Sequence, residues 1–346
     1  MKTFTKMLAI ALTAAVLLTG CGGGAAGGGS TPASADGGSG GGSAPADQVV
    51  IKAGHVVSTS DNYHLALVKM GELIGERTDG RYKIEVYPNA QIGSERDLIE
   101  GVQLGSVGMC VVATAPVANF APKLNVVELP FLIKDFEHAD RMFMGEIGRE
   151  LADTVTASAG IKCLGLWENG FRSVVNSKRP INSVEDVKGL KIRTMENSAH
   201  QALWSALGAD PVPMAWGDAY TAVQQGALDG LENAITLLYS LKTAEITKYL
   251  AVTEHLYSPA VVLLGDSIWS NMSDEDKKIF EDTFAEVSVY EREVSRKAAA
   301  TAEQGLKDQG LEVTHPDKEA FRQATEKVKE ELSRDYADIV ARIEAA

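Results

Sequence analysis

The chain has few cysteines and a deficit of positive charge, and each shortage closes a class of explanation. Three cysteines in 346 residues cannot build a disulfide framework or a four-thiolate metal site. The six histidines, His55, His64, His138, His200, His255 and His315, stand without cysteine or carboxylate partners at ligand spacing, so no metal or other cofactor is expected. A glycine-rich phosphate loop, a nucleophile elbow and a zinc-binding helix are all missing. The stretch GHVVSTSDNYH lacks the glycine spacing of a nucleotide cradle. No Ser, His and Asp set is singled out, and nothing points to an enzyme. Lys and Arg number 33 against 47 Asp and Glu, a formal net charge of -14, or about -16 without Lys2 and Lys6. Such a surface disfavours nucleic acid and offers anions no broad basin. An anionic ligand would have to be captured locally.

Long hydrophobic runs are also scarce. Lys2 and Lys6 precede an apolar run from Met7 to Leu18, too short to span a bilayer comfortably, and together they read as an export signal. The run ends in Leu18-Thr19-Gly20-Cys21, similar to a bacterial lipobox, which implies acylation of Cys21 and cleavage before it. A plain secretory leader with a chance cysteine is the alternative. Residues 22–47 are mostly Gly, Ser and Ala and are expected to act as a flexible tether. Cys110 and Cys163 each lie in an apolar, strand-like run. Export would permit a disulfide between them, and two buried free thiols are the plainer reading.

With 45% hydrophobic residues, the remainder has enough apolar material for two sizeable cores. QVVIKAGHV reads as a strand, and YHLALVKMGELIGERTDG carries helical spacing up to Gly80. RYKIEVYP alternates like a half-buried strand, and SERDLIEGVQLG begins a helix with Ser94 as N-cap before the strand VGMCVVAT. This order predicts an α/β architecture with mainly parallel sheet. VQLGSVGM (Val102 to Met109) and VQQGALDG (Val223 to Gly230) share three identities in eight residues about 121 positions apart, a weak repeat that fits two lobes. From Ser273 the chain runs about 35 residues without proline to Gly310. A helix of that length spans roughly 50 Å, longer than one lobe, and so is expected to cross between them.

Two segments place polar groups where strands end, the usual location of small-molecule sites in open α/β sheets. CLGLWENGFRSVVNSKRPI sets Trp167, Asn169, Phe171 and Arg172 after a strand, and GLKIRTMEN sets Arg193 after another. An arginine fork can grip a carboxylate through two parallel bonds. A structural salt bridge, from Arg193 to Glu196 or Glu232, is equally open at this stage. For Arg172, the following Lys178 and Arg179 suggest a basic surface loop. Trp216, near a helix start, is more often core than ligand platform, and Asn233 is uninformative alone.

The segments YPNAQIGSERDLIEGVQLG, ELPFL, WENGFRSVVNSKRPI, VKGLKIRTMEN, LGADPVPMAWGDAYTAVQQGALDGLEN and SPAVVL together resemble the solute-binding proteins of tripartite ATP-independent periplasmic (TRAP) transporters, the DctP family. The similarity is colinear from about residue 50 to the C-terminus. It implies a two-lobed, periplasmic-binding-protein-like α/β fold with a ligand cleft between the lobes and a long C-terminal helix crossing both. By analogy, lobe I takes residues 48–170 plus 259–298, and lobe II takes 171–258 plus 299–346. The resemblance makes Arg193 the arginine that pairs with the ligand carboxylate and Arg172 a second cationic contact. Asn233 becomes a hydrogen-bonding partner and Trp216 an aromatic wall. Glu95 would contact ligand hydroxyls or amines, and the loop at His55 and Val56 would border the cleft. Members commonly read Gln-Glu-Asn-Pro where this chain has Leu231-Glu232-Asn233-Ala234, so a less rigid backbone is expected there. Met195, Glu196, Asn197 and His200 either tune selectivity or cap the next helix.

The implied function is capture of a small organic acid, a sugar acid or a four-carbon dicarboxylate, outside the cytoplasm. Delivery would be to a membrane-embedded TRAP permease, with the binding protein held to the membrane by lipid on Cys21 and without catalysis or nucleic-acid binding. A binding protein for an ATP-driven importer or a signalling receptor, and a secreted enzyme on a similar fold, are the rivals.

Overall fold

The computed structural model describes residues 48–346; the leader, Cys21 and the tether lie outside the described residues. Strands and helices alternate through the first part of the chain: β1 (Val49–Gly54), α1 (Asn62–Arg77), β2 (Tyr82–Tyr87), α2 (Glu95–Leu104), β3 (Met109–Ala113) and the single turn α3 (Thr114–Val117). Two helices, α4 (Phe136–Phe143) and α5 (Glu146–Ala159), lead into the long strand β4 (Lys162–Asn176). The middle of the chain contains β5 (Lys191–Thr194), α6 (Ser198–Ala206), β6 (Asp210–Pro213), α7 (Trp216–Gln224), β7 (Gly230–Ala234) and α8 (Ile235–Ser240). A second long strand, β8 (Tyr249–Leu264), precedes the turn α9 (Asp266–Trp269) and the 35-residue helix α10 (Asp274–Asp308). The chain closes with β9 (Glu312–Thr314), α11 (Lys318–Ser333) and α12 (Ala337–Glu344).

The local signals act as the residue chemistry predicts. Ser94 caps α2 and forms a capping box with Asp97, while Ser273 accepts from the Asp276 N–H at the start of α10. The weak repeat has a structural counterpart. In both places a helix ends, a glycine takes positive φ (Gly105 at 78°, Gly226 at 73°), and a strand begins a few residues later.

The strands run in the order β2-β1-β3-β8-β4-β7-β5-β6, with β9 beside β8. β1 pairs in parallel with β2 and β3, and β5 in parallel with β6 and β7. The two long strands differ from the expected parallel arrangement, because β8 is antiparallel to β3 and β4, and β4 is antiparallel to β7. Their length carries them through both lobes. The far half of β8 (Ala260–Leu264) pairs with β3, its near half (Tyr249–Ala251) with β9, and the last residues of β4 with β7. Between these halves β4 has register shifts at Glu168/Gly170 and Arg172/Val174, and Gly170 takes φ 114°. Bulges bend and twist a strand, so β4 is distorted where it crosses between the two lobes.

Side chains from both sheet faces are buried. Along β3, Met109 and Val111 join a core with α1 and α10, while Cys110 and Val112 join the core on the other face, with α2, α4 and α5. The second lobe has a further core around Ile192, Trp204 and Phe321. Helix α10 packs against α1 at one end and α8 at the other, and its middle is tied to the crossover, where Glu291 accepts from the Glu168 N–H (3.0 Å) and Arg296 bridges Asp140 and Glu168. Helix α12 departs from the expected grouping with lobe II. Ile339, Val340 and Ile343 pack into the first-lobe core, and His138 Nε2 meets the Ile343 carbonyl at 2.8 Å.

Cys110 and Cys163 are free and buried. Both face Leu263 of β8 from opposite sides, which places them two strand spacings apart, about 9–10 Å, beyond the reach of a disulfide.

Candidate functional site

Between the lobes lies a small cavity lined by Val56, Val57, Tyr63, Glu95, Ala113, Asn169, Arg193, Met195, Trp216, Asn233 and Leu237. Its walls come from the loop after β1, the starts of α1 and α2, the end of β3, the bulge of β4, and the carboxyl ends of β5 and β7. The mouth is shut by contacts between segments far apart in the chain. Asn119 Nδ2 donates to the Glu196 carbonyl (3.0 Å), Asn197 Nδ2 to the Ala115 carbonyl (3.1 Å), and Ser240 Oγ to Asp61 (3.1 Å). His200 Nε2 lies 2.7 Å from Glu128, with both side chains buried.

The two arginines have different surroundings, and strand register explains why. In the parallel pairing of β5 with β7, Arg193 is opposite Leu231, so Arg193, Leu231 and Asn233 share one face and Glu232 points to the other. In the antiparallel pairing of β7 with β4, Glu232 lies diagonal to Arg172. Glu232 therefore holds Arg172, with Nε to Oε2 at 2.6 Å and Nη2 to Oε1 at 2.8 Å, and neither side chain is exposed. Burial pushes the Glu232 carboxyl up, but the Arg172 charge and the hydrogen bonds from His200, His255 and Arg172 together hold it well below its ordinary range. Arg172 is not on a surface loop: it lies inside β4 and is absent from the cavity wall. It acts on the cavity through Asn233, donating from Nη1 to Oδ1 at 2.7 Å.

Arg193 has no salt bridge among the described residues, although it is only 2% exposed. Nε donates to the Met214 carbonyl (2.8 Å), the guanidinium lies 5.5 Å from the centre of the Trp216 ring, and its two terminal nitrogens make no hydrogen bond to any described residue. Burial lowers its pKa to about 10, so it stays charged at neutral pH. It is a desolvated cation with its fork available.

Asn233 presents its amide nitrogen to the same cavity. Oδ1 is fixed by Arg172, and it also accepts from the Ala234 N–H at 2.8 Å. A proline at 234 could not donate that bond. Ala234 nevertheless holds φ -56°, close to the value proline imposes. Glu95, the first residue of α2, accepts from the Ala113 N–H through Oε1 at 2.7 Å. Burial raises its pKa, opposed by that bond and by Arg193, and Oε2 has no partner among the described residues.

Other expectations divide. Trp216, 7% exposed, and Val56 line the cavity. The His55 side chain does not; it turns to His64 (Nε2 to Nδ1, 3.1 Å), and burial lowers its pKa to about 3. Met195 lines the cavity and Asn197 caps α6, accepting from the Ala199 N–H. Sequence reasoning missed Tyr63 and left Asn169 without a role. The Tyr63 hydroxyl and Asn169 Oδ1 are buried without partners. Asn169 could have been found from its place in WENGFR; Tyr63, in the first turn of an ordinary amphipathic helix, carried no local signal.

One charged fork, two amide groups, a phenol and a carboxylate thus converge in a small, water-excluding space, which suits noncovalent capture of an acid. The family model for bacterial extracellular solute-binding protein, family 7 (DctP), matches residues 53–335. A solute-binding protein of Roseobacter denitrificans is 34% identical over 82% of this chain and 86% of its own length. The 2,3-diketo-L-gulonate-binding periplasmic protein of Escherichia coli is 32% identical over 79% of this chain and 84% of its own. Among solved structures, a TRAP periplasmic solute-binding protein of Polaromonas bound to D-erythronate is similar with a TM-score of 0.84 and 35% identity, covering 86% of this chain and 99% of that one. No described helix is long and apolar enough to cross a membrane. The match of fold, length and motif order places this chain in the DctP family of TRAP-transporter solute-binding proteins.

Proposed function

We propose that the protein captures a hydroxylated monocarboxylate of about four to six carbons and delivers it to a TRAP permease. The observation that carries this reading is Arg193, a buried guanidinium whose terminal nitrogens have no partner among the described residues. A ligand carboxylate would supply the missing counter-charge in a site where water cannot compete. Asn233 Nδ2 would donate to the same ligand, Trp216 and Val56 would pack against its carbon chain, and Arg172 would position Asn233 without touching the ligand. Glu95 disfavours a second carboxylate, which ranks sugar acids above four-carbon dicarboxylates. The relatives with D-erythronate and 2,3-diketo-L-gulonate in their names support the same class. Binding would shift the lobes toward the closed form because ligand contacts come from both. In this reading the protein performs no catalysis, and Cys21 and the tether hold it at the outer face of the membrane. Lobe I comprises 48–170, 259–298 and the closing helix 337–346, and lobe II comprises 171–258 and 299–336.

A thermal-shift screen against aldonates, uronates and dicarboxylates tests this. A bound acid at 100 times its Kd adds about 2.7 kcal/mol of stability. Stabilisation by hydroxylated monocarboxylates with no turnover is expected; stabilisation by none of the acids, or conversion of one, would overturn the proposal.

A further inference from the structure

Tyr63 occupies the cavity wall with no partner and no assigned task. Its neighbour Asn62 donates from Nδ2 to the Glu168 carbonyl (2.6 Å), which pins the start of α1 to the crossover of β4. The phenol is therefore held in place, 2% exposed, with its hydroxyl unpaired. A buried hydroxyl left without a partner is destabilising, a cost that a ligand oxygen would remove. Burial, with the nearby Glu95 and Glu291 carboxylates, holds the phenol well above its ordinary pKa. It keeps its proton and can donate.

Glu95 offers the complementary half. Oε1 is occupied by the Ala113 N–H, and Oε2 is unpaired in the same cavity. We infer that Tyr63 and Glu95 together read one hydroxyl group of the ligand, with Tyr63 donating a hydrogen bond to its oxygen and its O–H donating one to Glu95 Oε2. This rests on the acid-binding reading of the cavity and narrows it. An alcohol satisfies both groups at once. A methylene leaves both unsatisfied, and a second carboxylate would meet the Glu95 charge. Tyr63 is then a specificity-determining residue, because sites built to bond a hydroxyl reject the analogue lacking it strongly, in favourable cases by about 10⁴-fold or more.

The test is calorimetric titration of the full chain with four- to six-carbon aldonates, their monodeoxy analogues and succinate. For the wild type, at least one aldonate should bind, and one of its monodeoxy analogues should bind at least about 100-fold more weakly. In Tyr63→Phe the parent acid should weaken about 10- to 100-fold. Its advantage over that analogue should shrink below about 10-fold, while its ratios to the other deoxy analogues stay unchanged. Glu95→Gln should narrow the same gap and improve succinate relative to wild type. Unchanged affinity in Tyr63→Phe, or equal weakening for the parent and every analogue, would overturn the hydroxyl clamp alone. If no acid binds the wild type, the functional reading falls with it.

Discussion

Replacing Arg193 by Met should have opposite effects on binding and on stability. The guanidinium is 2% exposed and lacks a carboxylate partner in the ligand-free chain. Its pKa falls from 12.5 to about 10 through desolvation. At about 1.36 kcal/mol per pH unit, that fall corresponds to about 3 kcal/mol of disfavoured charge. The group is a base whose folded pKa is depressed, so at pH 7 it is charged in both the folded and unfolded states. The cost is fully present there and fades only as pH rises through about 10 and beyond. Arg193→Met removes the cost but leaves the Met214 carbonyl without its donor, a loss of about 1 kcal/mol. The ligand-free variant should therefore be more stable by about 1–2 kcal/mol, an increase of a few degrees in Tm. Binding should fail in the same variant. Two charge-assisted hydrogen bonds of about 1.5–3 kcal/mol each amount to about 3–6 kcal/mol, or roughly 10²- to 10⁴-fold in Kd. Thermal unfolding with and without a stabilising acid, supported by calorimetric titration, reads both quantities. A variant less stable than wild type that still gains Tm from the acid would refute both the desolvated state of Arg193 and its role as anchor.

Three further outcomes follow from the same geometry. Glu232→Ala leaves the fully buried Arg172 without its carboxylate and should destabilise the fold by about 3–5 kcal/mol, measurable by urea unfolding; a loss below 1 kcal/mol would contradict the buried pair. At Gly230, an added Cβ would lie 2.1 Å from the Val175 carbonyl oxygen. Gly230→Ala should force β7 away from β4, lower stability by about 1–3 kcal/mol and weaken ligand binding through the displaced Asn233. His55 has a folded pKa of about 3 against 6.5 unfolded, so the unfolded chain binds a proton that the folded chain refuses. Its contribution should cost roughly 1.4 kcal/mol per pH unit as pH drops from 6.5 toward 3, and His55→Asn should make the acid limb of the stability profile shallower.

Much of the fold was legible because its signals are local. Ser94 and Ser273 capped helices where their hydroxyls could accept the first free N–H groups, and the proline-free stretch from Ser273 to Gly310 became a single helix. The antiparallel direction of β4 and β8 was not legible, since alternation of strand and helix says nothing about two long strands shared by both lobes. Nor was the position of α12, whose apolar face fits more than one core. Of the residues singled out by their motifs, Arg193, Asn233, Trp216, Glu95 and Val56 line the cavity. The His55 ring is turned to His64 instead, an orientation that the motif around it does not encode.

By itself the sequence determined the order of strands and helices, the net negative charge and the placing of Arg193 near the carboxyl end of a strand. These are properties of neighbouring residues and of composition. Only the tertiary structure decided which arginine is free. Glu232 could have neutralised either one, and strand pairing settled it: alternation along β7 turns Glu232 to the face occupied by Arg172 and leaves Arg193 on the opposite face with Asn233. The same folding brings Tyr63 and Glu95, distant from both in the chain, to that second face. A buried arginine without a salt bridge among the described residues thus exists because the fold keeps an available counter-ion on the other side of a strand.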